Sequence, residues 1–305
     1  MRPPRTLLAL SLLASALAPS AAHAAVGVGI ADQKPEMFTD ARFQALGIKY
    51  ARVNVRWDVL KDAGATAALD SWMSGAKATG ARPLITFDRS PARRSYNPKP
   101  AELVGALKGL RARYGVTEFS TWNEANINKR PQIVAKWYRA LVKACPSCTI
   151  LGTDLVDHGN MAAWAKRFVK AVGTKPAVKV WGLHNYVDAN RKSTKTTKAL
   201  LKAVKGRIWF TETGGIVARN NASTVSFPTS APHAAEVTQF IFDKLAKLSP
   251  RIERVYLYHW DTGGGADSWD SAFVGPDDAT RPALEVLKGV LGTPPAPLPV
   301  PVPIA

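Results

Sequence analysis

The sequence is poor in cysteine, in acidic residues and in long hydrophobic runs. Only two of its 305 residues are cysteines, which is too few for a disulfide-built scaffold or an all-cysteine zinc site. Beyond residue 24 no stretch is apolar for long enough to cross a bilayer. These shortages exclude a small disulfide-rich protein and a membrane-spanning protein, and the length favours one large α/β domain.

The shortage of acidic residues gives the chain a strongly basic balance. There are 41 Lys and Arg against 23 Asp and Glu, a formal net charge of +18, or +16 without Arg2 and Arg5. Such a charge favours association with acidic cell-surface polymers or acidic glycans, and a simply solvated basic surface is the alternative. The cations are scattered apart from a denser run at 191–195, and no nucleic-acid motif accompanies them, so we expect no nucleic-acid partner.

Both ends of the chain are predicted to lie outside the domain. Residues 1–24 combine two arginines, an apolar stretch and a small-x-small cleavage site at 22–24, which is typical of a secretory signal peptide. Residues 293–305 are rich in proline, which favours polyproline II or a disordered tail, with a tether as the alternative. We therefore expect a secreted domain spanning residues 25–292.

The two cysteines, Cys145 and Cys148, are separated by Pro-Ser. In an exported chain this spacing favours a local disulfide that closes the turn before a predicted strand. A redox role is the alternative, and a zinc site would need more ligands than this pair supplies.

Strand-like and helix-like segments alternate along the whole domain. Predicted strands cover residues 26–30, 50–57, 82–87, 116–122, 148–153, 178–184, 207–211 and 254–260. Predicted helices include residues 35–46, 99–114, 161–172, 195–204, 232–248 and 282–291. Crossover helices make neighbouring strands parallel, and eight such units close into a single (β/α)8 TIM barrel. An open doubly wound sheet is the alternative, but no glycine-rich phosphate loop follows the first strand.

Polar side chains stand at the predicted strand ends, where the active site of such a barrel lies. Glu124 follows the fourth strand, His184 and Tyr186 follow the sixth, Glu212 ends the seventh and Trp260 ends the eighth. Hydrolysis of a glycosidic bond needs two carboxyl groups, one to protonate the leaving oxygen and one to attack or to activate water. The proton donor must keep its proton near neutral pH, and an ionised neighbour close to it raises its pKa. We therefore expect Glu124 and Glu212 to face each other.

Two motifs resemble those of a known superfamily. Residues 122–126, Trp-Asn-Glu-Ala-Asn, resemble the W-N-E-(P/A)-N motif of clan A glycoside hydrolases, the cellulase- and xylosidase-like retaining (β/α)8 enzymes. Residues 211–214, Thr-Glu-Thr-Gly, resemble the second motif of that clan. The resemblance implies that Glu124 is the acid/base, that Glu212 is the nucleophile and that Asn123 contacts the sugar 2-hydroxyl.

Weaker matches extend the resemblance to other strands. Arg52 resembles the strand-two arginine of the clan, which supports the nucleophile carboxylate. The run His184-Asn185-Tyr186 resembles a strand-six His-x-Tyr, whose tyrosine holds the nucleophile, and Trp260 resembles the strand-eight tryptophan beneath the sugar. An arginine and a phenol both stabilise an ionised carboxylate, and an indole face packs against a sugar ring. The β-sandwich partner of several clan families is absent from this sequence, so the exact family stays open.

Each of these residues also has a structural alternative. Glu124 could be a carboxylate at a helix start, Glu212 and Arg52 could belong to structural ion pairs, and His184 and Trp260 could be core residues. The tryptophans Trp57, Trp122 and Trp269 are candidates for sugar stacking, although packing is favoured for Trp57. Asp154, Asp157 and His158 follow the fifth strand and are expected to contact sugar hydroxyls from a loop, with a metal site as the alternative.

The sequence therefore predicts a secreted glycoside hydrolase that acts with net retention, most simply as a monomer, with a carbohydrate substrate and without a metal or other cofactor. A non-catalytic glycan-binding barrel is one alternative. A metal-dependent hydrolase using Asp157, His158 and His184 is another. The loop at 214–231 is expected to set the specificity.

Overall fold

The computed structural model describes residues 26–219, 226–262 and 269–292. The predicted signal peptide and the proline-rich tail lie outside the described residues. Within the described part, no helix is long and apolar enough to cross a membrane.

Parallel strands wrap into a nearly closed barrel, as predicted. They are β1 (Gly27–Ala31), β2 (Tyr50–Arg56), β3 (Arg82–Asp88), β4 (Glu118–Ser120), β5 (Thr149–Leu151), β6 (Asp154–Val156), β7 (Val180–His184), β8 (Arg207–Thr213) and β10 (Ile252–Tyr258). Their order around the sheet is β5-β4-β3-β2-β1-β10-β8-β7-β6. The predicted fifth strand, residues 148–153, contains β5, and β6 begins directly after it, so the two edge strands of the sheet are consecutive along the chain. A separate antiparallel pair joins β9 (Ala218–Arg219) to β11 (Trp269–Asp270).

Helices follow the strands and cover the outside of the barrel. They are α1 (Ala41–Ala45), α2 (Ala63–Ala78), α3 (Pro100–Tyr114), α4 (Ala125–Asn128), α5 (Pro131–Ala144), α6 (Met161–Val172), α7 (Tyr186–Asn190), α8 (Lys195–Ala203), α9 (Ala231–Phe240) and α10 (Pro282–Leu291). Proline opens α3 and Gly115, with a φ of 71°, ends it, as the sequence indicates. The predicted helix at 35–46 is instead a 3-10 turn, Pro35–Thr39, followed by the short α1.

Two apolar clusters hold the barrel and its helices together. The larger lies between the sheet and the helices. The smaller fills the barrel interior with Ala31, Leu84, Leu151, Val180, Trp209 and Tyr256. At the N-terminal ends of the strands, Arg254 donates to Glu118 at 3.0 Å, and its guanidinium lies 3.8 Å from the ring centroid of Trp209. These side chains fill the barrel interior at the N-terminal ends of the strands.

The disulfide between Cys145 and Cys148 is confirmed. It joins the end of α5 to the residue before β5, with the two Cα atoms 5.3 Å apart. Its place in a short turn, remote from the C-terminal ends of the strands, agrees with a structural bridge.

Candidate active site

Glu124 and Glu212 share the mouth at the C-terminal ends of the strands. Glu124 follows β4 with 42% of its side chain exposed, whereas Glu212 lies on β8 with 13% exposed. One oxygen of each carboxylate and one ring nitrogen of His184 lie within 4.8 Å of one another. The structure therefore brings the two predicted carboxylates together.

The backbone at Glu124 is held in an unusual conformation. Glu124 adopts φ 47° and ψ 42°, a left-handed conformation that costs energy in a residue with a Cβ. It precedes α4, but its side chain makes no capping hydrogen bond, which leaves the carboxylate available to the mouth. Asn126 anchors this turn, since its amide exchanges hydrogen bonds with the backbone of Val156 at 2.8 and 2.9 Å.

Arg52 is the buried cation that joins the site together. Its Nη1 donates to Glu212 at 2.9 Å, and its Nη2 donates to Asp154 at 2.7 Å and to Asn123 at 3.1 Å. Burial alone lowers the pKa of this guanidinium, but the charges of Asp154 and Glu212 outweigh burial and raise it. Asn123 is fixed in turn, because its Nδ2 donates to Asp88 at 3.2 Å.

Asp154 lies beneath the site and not in a loop that could contact sugar, which corrects one expectation. It is fully buried on β6 and accepts hydrogen bonds from Ser120 at 2.7 Å and Thr86 at 3.0 Å, besides Arg52. Burial raises the pKa of a carboxyl, but the charge of Arg52 holds the pKa of Asp154 well below its usual range. Gly182, opposite in register, makes room for it, because a Cβ there would lie 2.0 Å from Asp154 Oδ1.

Tyr186 holds the other oxygen of Glu212. Its hydroxyl donates to Glu212 Oε1 at 3.1 Å, and burial together with the Glu212 charge raises the pKa of Tyr186 well above its usual value. The phenol therefore stays protonated and remains a donor. Asp157 fixes the start of α7, because its carboxylate accepts the backbone N–H groups of Val187 at 3.1 Å and Asp188 at 2.8 Å.

Asp157 is accordingly expected to act as a positioning residue for Tyr186. Asp157→Asn leaves one of the two backbone N–H groups unpaired, so we expect kcat to fall about tenfold through displacement of the phenol. In a Tyr186→Phe background the same substitution should have a much smaller effect, because the hydrogen bond that it perturbs is already gone. Kinetics on the four members of this double-mutant cycle measure the difference, and equal effects in both backgrounds would assign Asp157 to stability alone.

His184 lies between the carboxylates and pairs with Glu124. Its Nδ1 lies 3.1 Å from Glu124 Oε1 and 3.8 Å from Glu212 Oε2, and its ring is fully buried. Burial lowers the pKa of an imidazole, but the surrounding carboxylates outweigh it and raise the pKa of His184 to about 9. Burial acts to raise the pKa of Glu124, but the hydrogen bond from His184 more than offsets it and lowers that pKa. The expected elevation of the Glu124 pKa is therefore not found in the free protein.

Glu124 and His184 consequently titrate as a pair that holds one proton at neutral pH. Activity that needs this proton should be full below about pH 9 and should decline as the pH rises through that value. His184→Asn should move the alkaline limb of kcat/KM down by more than about one pH unit, because Glu124 loses the group that stores its proton. An alkaline limb that stays in place in this variant would contradict the assignment.

The candidate tryptophans divide into buried members and the half-buried Trp269. Trp260 is fully buried, donates from its indole to Asp40 at 2.9 Å and packs edge-to-face on Phe43. In this position it does not form a floor beneath a sugar, contrary to the expectation. Trp57 and Trp122 are also buried, whereas Trp269 lines the mouth.

A cavity of about 460 Å³ surrounds the carboxylate pair. Its walls are Glu124, Ile127, Val156, Asp157, His158, Tyr186, Val187, Glu212, Arg219, Phe227, Tyr258 and Trp269. Sequence reasoning missed Arg219, Phe227 and Tyr258. Tyr258 ends β10 and carried a detectable signal as a strand-end aromatic, but Arg219 and Phe227 belong to the long loop after β8, part of which lies outside the described residues.

The alternative metal triad is not assembled. Within residues 26–219, 226–262 and 269–292, the one group of His, Cys, Asp and Glu close enough to share an ion is Glu124, His184 and Glu212. Asp157 turns its oxygens towards backbone N–H groups of α7 instead.

Comparison with known proteins finds solved structures that share the barrel fold. No protein-family model and no curated protein matches the sequence. Among solved structures, the chain is similar to a fungal β-1,4-galactanase, with a TM-score of 0.63, 15% identity and coverage of 87% of this chain and 99% of that one. It is also similar to an intracellular xylanase of Thermoanaerobacterium saccharolyticum, with a TM-score of 0.61, 14% identity and coverage of 86% and 95%. An endo-1,4-β-xylanase of Caldicellulosiruptor owensensis matches with a TM-score of 0.62, 11% identity and coverage of 86% and 96%. At these identities the comparisons establish the shared (β/α)8 fold.

Proposed function

We propose that this protein is a secreted glycoside hydrolase that cleaves O-glycosidic bonds of a poly- or oligosaccharide with net retention. The observation that carries the proposal is the approach of a Glu124 oxygen and a Glu212 oxygen to within 4.8 Å at the mouth of the barrel. Retaining enzymes place their carboxyl groups about 5–5.5 Å apart, whereas inverting enzymes leave about 6.5–9.5 Å for a water molecule. The short separation supports direct attack on the sugar.

In this mechanism Glu212 attacks the anomeric carbon while Glu124 protonates the leaving oxygen. Arg52 and Tyr186 each donate to one oxygen of Glu212, so the carboxylate is held in one orientation. Glu124 then takes a proton from water, and the water displaces Glu212 from the sugar. His184 supplies the leaving-group proton by passing it to Glu124. The pKa of His184 falls when Glu212 forms its bond to the sugar, because Glu212 then loses the negative charge that raises this pKa.

Features outside the site support the rest of the proposal. The disulfide and the leader-like first 24 residues agree with export to an oxidising compartment. The net charge of +18 supports attachment to acidic cell-surface polymers. The non-catalytic glycan-binding barrel receives less support, because both carboxylates are present with their hydrogen-bond partners.

The test is release of reducing sugar by the mature protein from a panel of plant, fungal and bacterial glycans, beside Glu212→Ala. We expect release by the wild type and not by the variant, with NMR showing that the first product has the anomeric configuration of the substrate. Release by both proteins would remove Glu212 as the nucleophile. Tight glycan binding without release by either would favour the binding protein.

A further inference from the structure

The wall of the cavity beside Glu124 carries an exposed aliphatic side chain. Ile127 lies on α4, one helical turn after Glu124, and is 52% exposed. Among the described residues the other large hydrophobic residue with such exposure is Val169, at 40%, on the outer helix α6. A single apolar residue on an outer surface is ordinary. Ile127 differs from Val169, because it lines the cavity that holds both carboxylates.

The helix that carries Ile127 is fixed at both ends. Asn126 exchanges hydrogen bonds with the backbone of Val156, and the Nδ2 of Asn160 donates to the carbonyl of Asn126 at 3.3 Å. At the other end the indole of Trp164 donates to the carbonyl of Lys129 at 2.8 Å. A ligand that covers the Ile127 side chain therefore gains apolar contact without first having to order the backbone.

Two further residues complete this part of the wall. Val156 adds a second aliphatic side chain, and the exposed His158 adds a polar one. The backbone N–H of His158 donates to the carbonyl of Val156 at 2.7 Å, so the two residues are held next to each other. The imidazole of His158 makes no hydrogen bond with any residue that the structure describes, which leaves it able to bind a ligand. We call Ile127, Val156 and His158 the Glu124 wall.

The chemistry of the site assigns this wall to one side of the cleaved bond. In the proposed mechanism Glu212 attacks the anomeric carbon, and the leaving oxygen departs towards Glu124, which protonates it. Tyr186 and Trp269, whose ring centroids are 4.7 Å apart, lie on the Glu212 side, where the Tyr186 hydroxyl donates to Glu212. The group that leaves therefore has to pass the Glu124 wall.

The side chains of the Glu124 wall fit a ring with an apolar face and a polar edge. The C–H face of a sugar ring is apolar and can cover the aliphatic groups of Ile127 and Val156. An imidazole can hydrogen-bond a hydroxyl group on the edge of the same ring. A small and wholly polar group would lose hydration against the two aliphatic side chains without replacement.

We propose that Ile127, Val156 and His158 form the binding subsite of the sugar unit that leaves. The C–H face of this unit packs on Ile127 and Val156, while His158 binds one of its hydroxyl groups. The assignment to the leaving unit rests on the proposed hydrolase function. An aryl alcohol as leaving group would use the same aliphatic pair but not His158, so the two kinds of leaving group can be distinguished.

The experiment compares leaving groups on the mature chain. The substrates are the β-glycosyl fluorides, the phenyl β-glycosides and the β-1,4-linked disaccharides of glucose, galactose, mannose and xylose. Ile127→Ala should lower kcat/KM by about three- to tenfold for phenyl glycosides and disaccharides, and by less than about twofold for fluorides, because fluoride is too small to cover the side chain. Equal losses for all three leaving groups would overturn the inference.

Matched variants test the contact itself. Ile127→Leu keeps an apolar side chain of the same size and should recover most of the loss. Val169→Ala removes the exposed aliphatic side chain of α6 and should leave kcat/KM unchanged for every substrate. His158→Ala should cost the disaccharides about fivefold more than the phenyl glycosides, because only the sugar offers a hydroxyl group. Thermal unfolding verifies that each variant is folded.

The two chemical steps provide a second readout. The leaving group is gone before the glycosyl-enzyme is hydrolysed, so Ile127→Ala should slow the first step and leave the second unchanged. Pre-steady-state kinetics with dinitrophenyl glycosides separate release of the phenol from hydrolysis of the glycosyl-enzyme. Equal slowing of both steps would overturn the inference, because Ile127 would then act by positioning Glu124, which takes part in both.

The outcomes separate this inference from the hydrolase proposal. Cleavage that depends on Glu212 but is insensitive to Ile127→Ala would overturn the inference and leave the hydrolase in place. If no substrate of the panel is cleaved, the hydrolase proposal fails, and calorimetry with the phenyl and methyl β-glycosides of the same sugars decides the rest. Tighter binding of the phenyl glycosides that is lost in Ile127→Ala would support the apolar subsite, and the absence of such a difference would overturn it.

Discussion

Replacing Glu212 with glutamine is expected to lower kcat by about 1000-fold or more, with little change in stability. An amide is too weak a nucleophile to attack the anomeric carbon, so the covalent step is lost. The amide oxygen can still accept from Arg52, which retains its ion pair with Asp154, and the Tyr186 hydroxyl can accept from the amide nitrogen. Steady-state kinetics and thermal unfolding of the variant measure both expectations.

A matched control and a chemical rescue sharpen this prediction. Glu285→Gln changes an exposed carboxylate on α10, which pairs with Lys288, and should leave kcat unchanged.

Azide added to Glu212→Ala can enter the space of the missing carboxylate and should restore turnover, with a glycosyl azide of inverted configuration as product. In Glu124→Ala, azide attacks the glycosyl-enzyme, so the configuration is retained. The opposite pattern of products would exchange the roles of the two glutamates.

The sequence carried enough information to predict the barrel and the carboxylate pair, because both depend on local pattern. Alternating strand and helix signals repeat through the domain, and parallel strands bring their C-terminal ends to one mouth. Glu124 and Glu212 are therefore predictable neighbours even though they lie on distant strands. The additional strand β6 after the predicted fifth strand and the shortened first helix change the bounds of these elements, but the carboxylate pair still lies at the C-terminal ends of the strands.

The expectation that Trp260 lies beneath the sugar failed because the strand ends before this residue. The alternation of β10 predicts Tyr256, Tyr258 and Trp260 on one face, but the strand stops at Tyr258. Beyond that point the chain is directed by Asp32, which accepts the backbone N–H of Trp260 at 2.9 Å, and the indole turns to Asp40. Such pairings join residues more than 200 positions apart, and single-sequence patterns do not reveal them.

The same limit applies to the pKa values of the site. The expectation for Glu124 considered only a neighbouring carboxylate, which raises a carboxyl pKa. The position of His184, at 3.1 Å from Glu124, reverses the direction. Whether the imidazole faces the carboxylate or the core depends on side-chain placement within the mouth, which the motif does not encode.

Asp154→Ala is expected to lower the free energy of unfolding by about 3–5 kcal/mol, the usual cost of leaving a buried charge without its partner. Arg52 and Asp154 are both almost completely inaccessible, and the substitution also leaves the hydroxyl donors of Ser120 and Thr86 without their acceptor. Asp154→Asn keeps the shape and one oxygen, so its loss should be smaller. Urea unfolding at neutral pH measures these differences.

Gly182 provides the internal control for this prediction. Gly182→Ala in the wild type should be destabilising, because its methyl group would lie 2.0 Å from Asp154 Oδ1. In the Asp154→Ala background that oxygen is gone, so the same methyl group should cost much less, although Thr211 Oγ1 at 2.7 Å still restricts it. Additive losses would mean that Asp154 does not occupy the space above Gly182. A positive coupling would place the carboxylate in the space above Gly182 and beneath Arg52, where it pairs with the guanidinium that also donates to Glu212.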